Sequence, residues 1–211
     1  MNGEDLSTTT GRRRGPVPAD EAVLDRVMPV WDARILVAEP IDRSAEDAWE
    51  TLRDFDMMSV RSPLLSASFA LRGLPNRLLG RPEPPPPPSL RLGDGVGLPG
   101  WVGLDVVEGR EIAAGAIGVF WTPSIVWHQD VRPETFADFD EPGWGRIAIA
   151  FSIVPRSATS SIVIYECRTQ TTDDDARRCF LRYWRLIRPF VAHIMRAAVR
   201  TIKEQAETTG S

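Results

Sequence analysis

The chain has 211 residues, 43% hydrophobic and 26% charged, with a formal net charge of -4. That is enough length and apolar content for a substantial core, and the mild acidity excludes an overall field that would attract nucleic acid. Lys203 is the only lysine and lies near the C-terminus, which excludes Schiff-base chemistry on a buried lysine.

The first twenty residues hold Thr8 to Thr10, Arg12 to Arg14, Gly11, Gly15, Pro16 and Pro18, with no apolar run behind them. They read as a disordered polar tail, not a signal peptide. The folded domain is expected over 21–207, with a short disordered end at 208–211. Ala33 to Glu39 reads as a strand that Pro40 ends. Ser44-Ala45-Glu46-Asp47 resembles a capping box opening a helix, with Ala45, Ala48, Trp49 and Leu52 as its apolar face. A second helix is expected over Leu64 to Leu79, interrupted near Gly73 and Pro75. Pro82 and Pro84 to Pro88 form a polyproline II run that cannot pair in a sheet. It serves as a stiff connector or, alternatively, as a ligand for a partner's aromatic groove.

From Trp101 the apolar pattern changes to period two. Val102 to Val107 and Glu111 to Val119 read as a hairpin through Glu108-Gly109. Pro123 to Pro133 is irregular, Glu134 to Asp138 a short strand, and Glu141-Pro142-Gly143 a turn. Arg146 to Val154 and Ser161 to Thr171 are the longest strands, joined by Pro155 to Ser160. The last segment is a helix from about Asp173 to Glu204, capped by Asp173 to Asp175. Its apolar face recurs at Ala176, Phe180, Tyr183, Trp184, Ile187, Val191, Ile194, Ala198 and Ile202. At ~1.5 Å per residue it spans roughly 45 Å, and Pro189 should kink it.

This order is strand, two helices, antiparallel strands, long helix. With Val37-Ala38-Glu39-Pro40-Ile41-Asp42-Arg43-Ser44-Ala45-Glu46-Asp47-Ala48-Trp49, Tyr165-Glu166-Cys167-Arg168-Thr169 and Phe180-Leu181-Arg182-Tyr183-Trp184-Arg185-Leu186-Ile187-Arg188-Pro189, the chain resembles the START-like (SRPBCC) superfamily, which includes polyketide cyclases and lipid-transfer domains. The resemblance covers about Val30 to Glu207. It implies an α+β helix-grip fold, a curved antiparallel sheet of six or seven strands wrapped around the long C-terminal helix. Two shorter helices are expected between the first and second strands. Such a fold carries one cavity that serves many ligands.

Motifs for other chemistry fail on context. His128 and His193 have no paired-ligand spacing, and Cys167 and Cys179 lie twelve apart, so no metal is expected. Two cysteines are also too few for a disulfide scaffold and read as packed thiols of a cytoplasmic protein. Gly95-Val96-Gly97-Leu98-Pro99-Gly100 spells G-x-G-x-x-G, but a strand follows it, and Pro99 lacks a donor for phosphate. No G-x-S-x-G elbow is present. Ala113 to Trp121, the most apolar stretch, is too short to cross a bilayer as a helix, so no membrane insertion is expected.

Two features could build an interior site. Aromatic and aliphatic side chains between sheet and last helix are the expected ligand walls: Trp101, Trp121, Phe136, Phe151, Tyr165, Tyr183, Trp184, Ile187 and Val191. Glu166 and Arg168 form the second. If Ile162 and Ile164 face inward, this pair does too and must be mutually paired. If Val163, Tyr165 and Cys167 face inward, the pair is a surface ladder. Periodicity alone does not choose between them.

The expected function is binding of a small hydrophobic or aromatic ligand, with no cofactor; a homodimer is compatible with it. An aromatase/cyclase-type enzyme is the alternative, with Glu166, Arg168, Tyr165 and His128 as the candidate acid and base groups. An interaction module built on the proline run is the third reading.

Overall fold

The computed structural model describes residues 21–60, 91–92, 100–122 and 124–208. In chain order they form α1 (Val23–Val27), β1 (Ala33–Ile41), α2 (Ala45–Asp54), a 3-10 turn (Met57–Ser59), β2 (Trp101–Val107) and β3 (Glu111–Val119). There follow β4 (Val126–Trp127), α3 (Pro133–Phe136), β5 (Gly145–Ser157), β6 (Ser160–Thr171) and α4 (Asp174–Thr208). The strands make one six-stranded antiparallel sheet in the order β1-β6-β5-β3-β2, with β4 paired to β3. The long helix α4 closes over it, giving the helix-grip α+β architecture.

Local chemistry sets several boundaries. Ser44 Oγ accepts the Asp47 N–H at 3.1 Å and starts α2. Asp173 Oδ1 accepts the Ala176 N–H at 2.8 Å and starts α4. The Asp173 carboxyl is held below its ordinary value by the N–H groups of Ala176 and Gly143. Pro40 does not end β1, which continues to Ile41. β1 is an edge strand, where the missing N–H of proline need not break a ladder. Pro155 likewise lies inside β5, at an irregular register step between Pro155 and Ser157, so the β5–β6 hairpin is longer than its sequence suggests.

Two further expectations need correction. Glu134 to Asp138 is not a strand: Pro133–Phe136 form the short helix α3, with proline at its first turn, where the lost donor is harmless. The stretch read as irregular contains β4. α1 was not among the expected elements. The expected helix at Leu64 to Leu79, the proline run at 82–88, the 1–20 tail and residues 209–211 lie outside the described residues.

The sheet is buried on both faces. On its concave side Ile35, Ile112, Ile149, Phe151, Ile153, Val163 and Tyr165 pack under α2 (Trp49, Leu52) and the C-terminal half of α4 (Met195, Ala198, Val199, Ile202). On its convex side Val23, Leu24 and Met28 of the N-terminal segment join Ala113, Ile117, Phe136, Ala148 and Ala150 in a second cluster. Each large apolar side chain fully buried in either layer contributes roughly 1.5–3 kcal/mol. The central strand β3, buried from Glu111 through Gly118, is shared by both layers. Its small residues permit this: a Cβ on Gly115 would meet the Phe136 ring at 2.8 Å.

Candidate functional site

The concave side carries a chain of aromatic rings. Trp101 lies 6.3 Å from Trp127, Trp127 lies 5.7 Å from Phe120, and Phe120 lies 6.2 Å from Trp121, centroid to centroid. Trp121 then reaches Phe180 of α4 at 6.2 Å, and Phe180 reaches Trp184 at 5.7 Å. Tilted and edge contacts of this kind suit the quadrupoles of aromatic rings. The floor beneath them is a cross-strand glycine pair, Gly118 opposite Gly145. A Cβ on Gly118 would sit 2.9 Å from both the Phe120 ring and the Val126 carbonyl, and one on Gly145 would sit 3.1 Å from Phe120 and Trp121. Glycine at both positions is what lets the rings lie on the sheet. At Gly100, with φ +81°, a Cβ would also strike Trp127 at 2.6 Å.

On the same concave face Phe151 and Tyr165 stack across β5 and β6, with centroids 3.9 Å apart and planes at 21°. Tyr165 is 7% exposed, and its hydroxyl makes no hydrogen bond to the described residues. Burial pushes its pKa upward, with Cys167 adding to the shift. Above these rings α4 is continuous through Pro189, yet none of its residues from Leu181 to Ile194 is fully buried. Tyr183, Trp184, Ile187 and Val191 are half-buried there, and Trp184 and Val191 pack against the concave cluster.

Of the nine expected ligand-wall residues, Trp101, Trp121 and Trp184 thus belong to one ring chain, and Phe151 and Tyr165 form a separate stack on the same face of the sheet. Tyr183, Ile187 and Val191 lie on the half-buried middle of α4. Phe136 is the exception: it packs in the convex cluster, with the sheet between it and the others, because α3 seats it on Gly115. Three members of the ring chain were not among those nine: Phe120, Trp127 and Phe180. Phe180 is legible on the apolar face of α4, whereas the turn after β3 and the two-residue β4 that place Phe120 and Trp127 leave no periodic trace in sequence.

The acid and base candidates separate by face. Val163, Tyr165 and Cys167 point to the concave side, so Glu166 and Arg168 lie on the convex one. They are not a plain surface ladder, because Arg168 is only 3% exposed. Its Nε donates to Glu166 Oε1 and an Nη to Asp25 Oδ1, both at 2.6 Å, and the other Nη donates to the Met28 carbonyl at 3.0 Å. Arg34, directly opposite Arg168 on β1, donates to the same Glu166 oxygen at 2.6 Å. The Trp31 ring lies 4.5 Å from the Arg168 guanidinium and 5.3 Å from that of Arg34. One carboxylate and one indole therefore hold two facing arginines and fasten the N-terminal segment to the sheet. Glu111, 3% exposed, accepts the Val23 N–H at 3.0 Å and anchors the start of α1.

His128 is also remote from Tyr165. Its ring stands edge-on between Phe139 and Trp144, both at 5.1 Å, and Nε2 lies 3.5 Å from Glu141. Buried Arg146 donates to the Phe136 carbonyl at 2.8 Å and also contacts Ala137 and Gln170, which secures α3. Among the described residues no three His, Cys, Asp or Glu side chains are placed to hold a metal ion, and no helix is long and apolar enough to cross a membrane.

Two recesses flank α4. One of about 670 Å³ opens at its N-terminal end and is lined by Trp121, Pro142, Gly143, Asp173, Ala176 and Cys179 among others; Trp121 joins it to the ring chain. The other, about 470 Å³, is polar, lies between α2 and the end of α4 around Arg43, Asp47, Glu50 and Gln205, and touches none of the rings.

No family model matches the chain, and no curated protein matches it in sequence. Among solved structures it is similar to the ZhuI aromatase/cyclase from Streptomyces sp. R1128, at 11% identity, 85% of this chain, 98% of that one and a TM-score of 0.32. It is similar also to norcoclaurine synthase from Thalictrum flavum, solved with dopamine and hydroxybenzaldehyde, at 12% identity, 94% and 98% coverage and a TM-score of 0.34. A protein of Thermus thermophilus matches at 11% identity, 85% and 100% coverage and a TM-score of 0.31. These likenesses concern fold alone. Strand order, antiparallel register and the long closing helix give this chain a helix-grip α+β fold.

Proposed function

We propose that the protein binds a small aromatic or otherwise hydrophobic molecule between the concave face of the sheet and the middle of α4. One observation carries this reading: a continuous aromatic wall, built on paired glycines, runs beneath a helix segment that the core leaves half-buried. An apolar cleft with few polar groups suits a ligand whose affinity comes from buried area and ring contacts. Tyr165 supplies a hydroxyl for a polar substituent. Titration with a panel of polycyclic aromatics, fatty acids and sterols, read by tryptophan fluorescence and thermal shift, tests the proposal. At a hundredfold excess over Kd a true ligand adds about 2.7 kcal/mol of stability. Quenching without stabilisation by any class of compound would reject it.

The cyclase reading keeps one candidate, Tyr165, since Glu166, Arg168 and His128 lie elsewhere. Its raised pKa suits a proton donor and not a phenolate base. Y165F should then abolish turnover of a bound polyketide-like substrate while lowering its affinity only by the loss of one hydrogen bond, about tenfold at most. Equal turnover by Y165F would leave binding alone.

A further inference from the structure

The outward face of α4 carries charge and apolar area that the fold does not use. Between Asp175 and Glu204 the helix holds seven arginines and one lysine and no acidic residue, in a chain of net charge -4. Arg177 pairs with Asp32, Arg178 with Asp175 and Lys203 with Glu207. Arg182, Arg185, Arg188, Arg196 and Arg200 are exposed and have no ion-pair partner among the described residues. At 100° per residue, Arg182, Arg185, Arg196 and Arg200 share an arc of roughly 140° with Leu186 and Phe190. Leu186 is 72% exposed and Phe190 45%. A single exposed leucine is ordinary; a leucine and a phenylalanine one turn apart beside a row of unpaired guanidinium groups make an amphipathic docking face.

We propose that this face docks on an anionic bilayer surface. The four arginines meet lipid phosphates and carboxylates, and Leu186 and Phe190 enter the boundary between headgroups and acyl chains. The helix lies in the membrane plane, since it is not apolar enough to cross. The occupant follows from complementarity. A second copy related by a two-fold axis would lay one arginine row against another. A nucleic acid would match the arginines but leave Leu186 and Phe190 in water. A charged bilayer satisfies both. The proposal uses the side of α4 turned away from the sheet, so it does not depend on the ligand reading above.

The test is co-sedimentation of the full chain with phosphatidylcholine vesicles, with and without phosphatidylserine, at low and high salt. Binding is expected only with phosphatidylserine, and it should weaken as salt screens the contact. Each arginine reversed should cost at least about fivefold in affinity, so R182E/R196E and, independently, R185E/R200E should release the protein. L186S/F190S should weaken binding as well. All these residues are exposed, so the variants should keep the parent's circular dichroism and thermal midpoint, and any that does not is replaced by the other pair. Three results overturn the proposal: vesicle binding unchanged in both charge-reversed pairs, loss of binding only when Arg12 to Arg14 are replaced by serine, or tighter binding to duplex DNA than to vesicles with L186S/F190S indifferent.

Discussion

Single residues here have chemistry set by which face of the sheet they meet. Cys167 points into the concave core, and burial, with the negative charge of Glu166, pushes its thiol up to about 12. Cys179 is exposed on α4. One thiol per chain should therefore react with a disulfide reagent at pH 8 in the native state and two in denaturant; two fast native thiols would contradict the placement of β6. Glu111 offers a second check. Burial raises its carboxyl above the ordinary 4.5, with the Val23 N–H opposing. A folded value above the unfolded one means that its stabilising contribution is complete below about pH 4.5 and is lost as pH rises through the folded value. Glutamine keeps the acceptor for Val23 and removes the titration. E111Q should thus be more stable than the parent in urea at pH 7, with the gain vanishing near pH 4.

At the scale of elements, the N-terminal segment is the part whose stability is most conditional. α1 has only five residues, too few to persist alone. It stays on the sheet because Arg168 gathers Asp25, the Met28 carbonyl and Glu166, because Arg26 pairs with Asp105, and because Arg110 reaches the Glu21 carbonyl. Breaking a buried pair from one side commonly costs roughly 3–5 kcal/mol. Since Asp25 and Arg34 are partly in water, R168M should cost about 2–3 kcal/mol in equilibrium denaturation. It should also open the 21–32 segment to limited proteolysis. Unchanged protection in R168M would show that Val23, Leu24 and Met28 suffice to hold the segment. This arrangement also explains which elements were legible. The capping of α2, the β2–β3 hairpin, the β5 and β6 strands and α4 are written in local periodicity and capping residues. α1, α3 and β4 are two to five residues long and depend on distant partners, so their local patterns are too short to fix them.

Across the whole molecule, β3 joins the two hydrophobic layers. Its Ile112 and Ala114 serve the concave cluster, and its Ala113 and Ile117 the convex one. Loss of either layer exposes one face of the same strand, so the two should unfold together. Trp144 packs against the convex layer and Trp49 lies in the concave one, which provides separate reporters. Single-tryptophan variants retaining one or the other should give coincident urea transitions. Separated midpoints would show that the convex layer is an independent cap. Deleting residues through Trp31 removes Val23, Leu24 and Met28, and at roughly 2 kcal/mol per buried side chain should cost about 6 kcal/mol.

The sequence by itself determined the order of the main strands and the long closing helix, because the 3.6-residue repeat of α4 and the two-residue repeat of the strands are local consequences of which side chains must leave water; the helix-grip plan was what the family resemblance implied. Of the nine side chains it proposed as walls, Trp101, Trp121 and Trp184 meet in one ring chain, and Phe151 and Tyr165 stack on each other. Only the tertiary structure decided which face of β6 is inward. Both faces carry apolar residues, and the convex one is buried by a segment more than a hundred residues earlier in the chain. That fact moved Glu166 and Arg168 away from the candidate cleft and gave the two charges a structural task, while α3 removed Phe136 by seating it on Gly115. The helical period of α4 already set its arginines opposite the apolar face; the structure added that Leu186 and Phe190 are exposed beside them and that Arg182, Arg185, Arg196 and Arg200 have no ion-pair partner among the described residues.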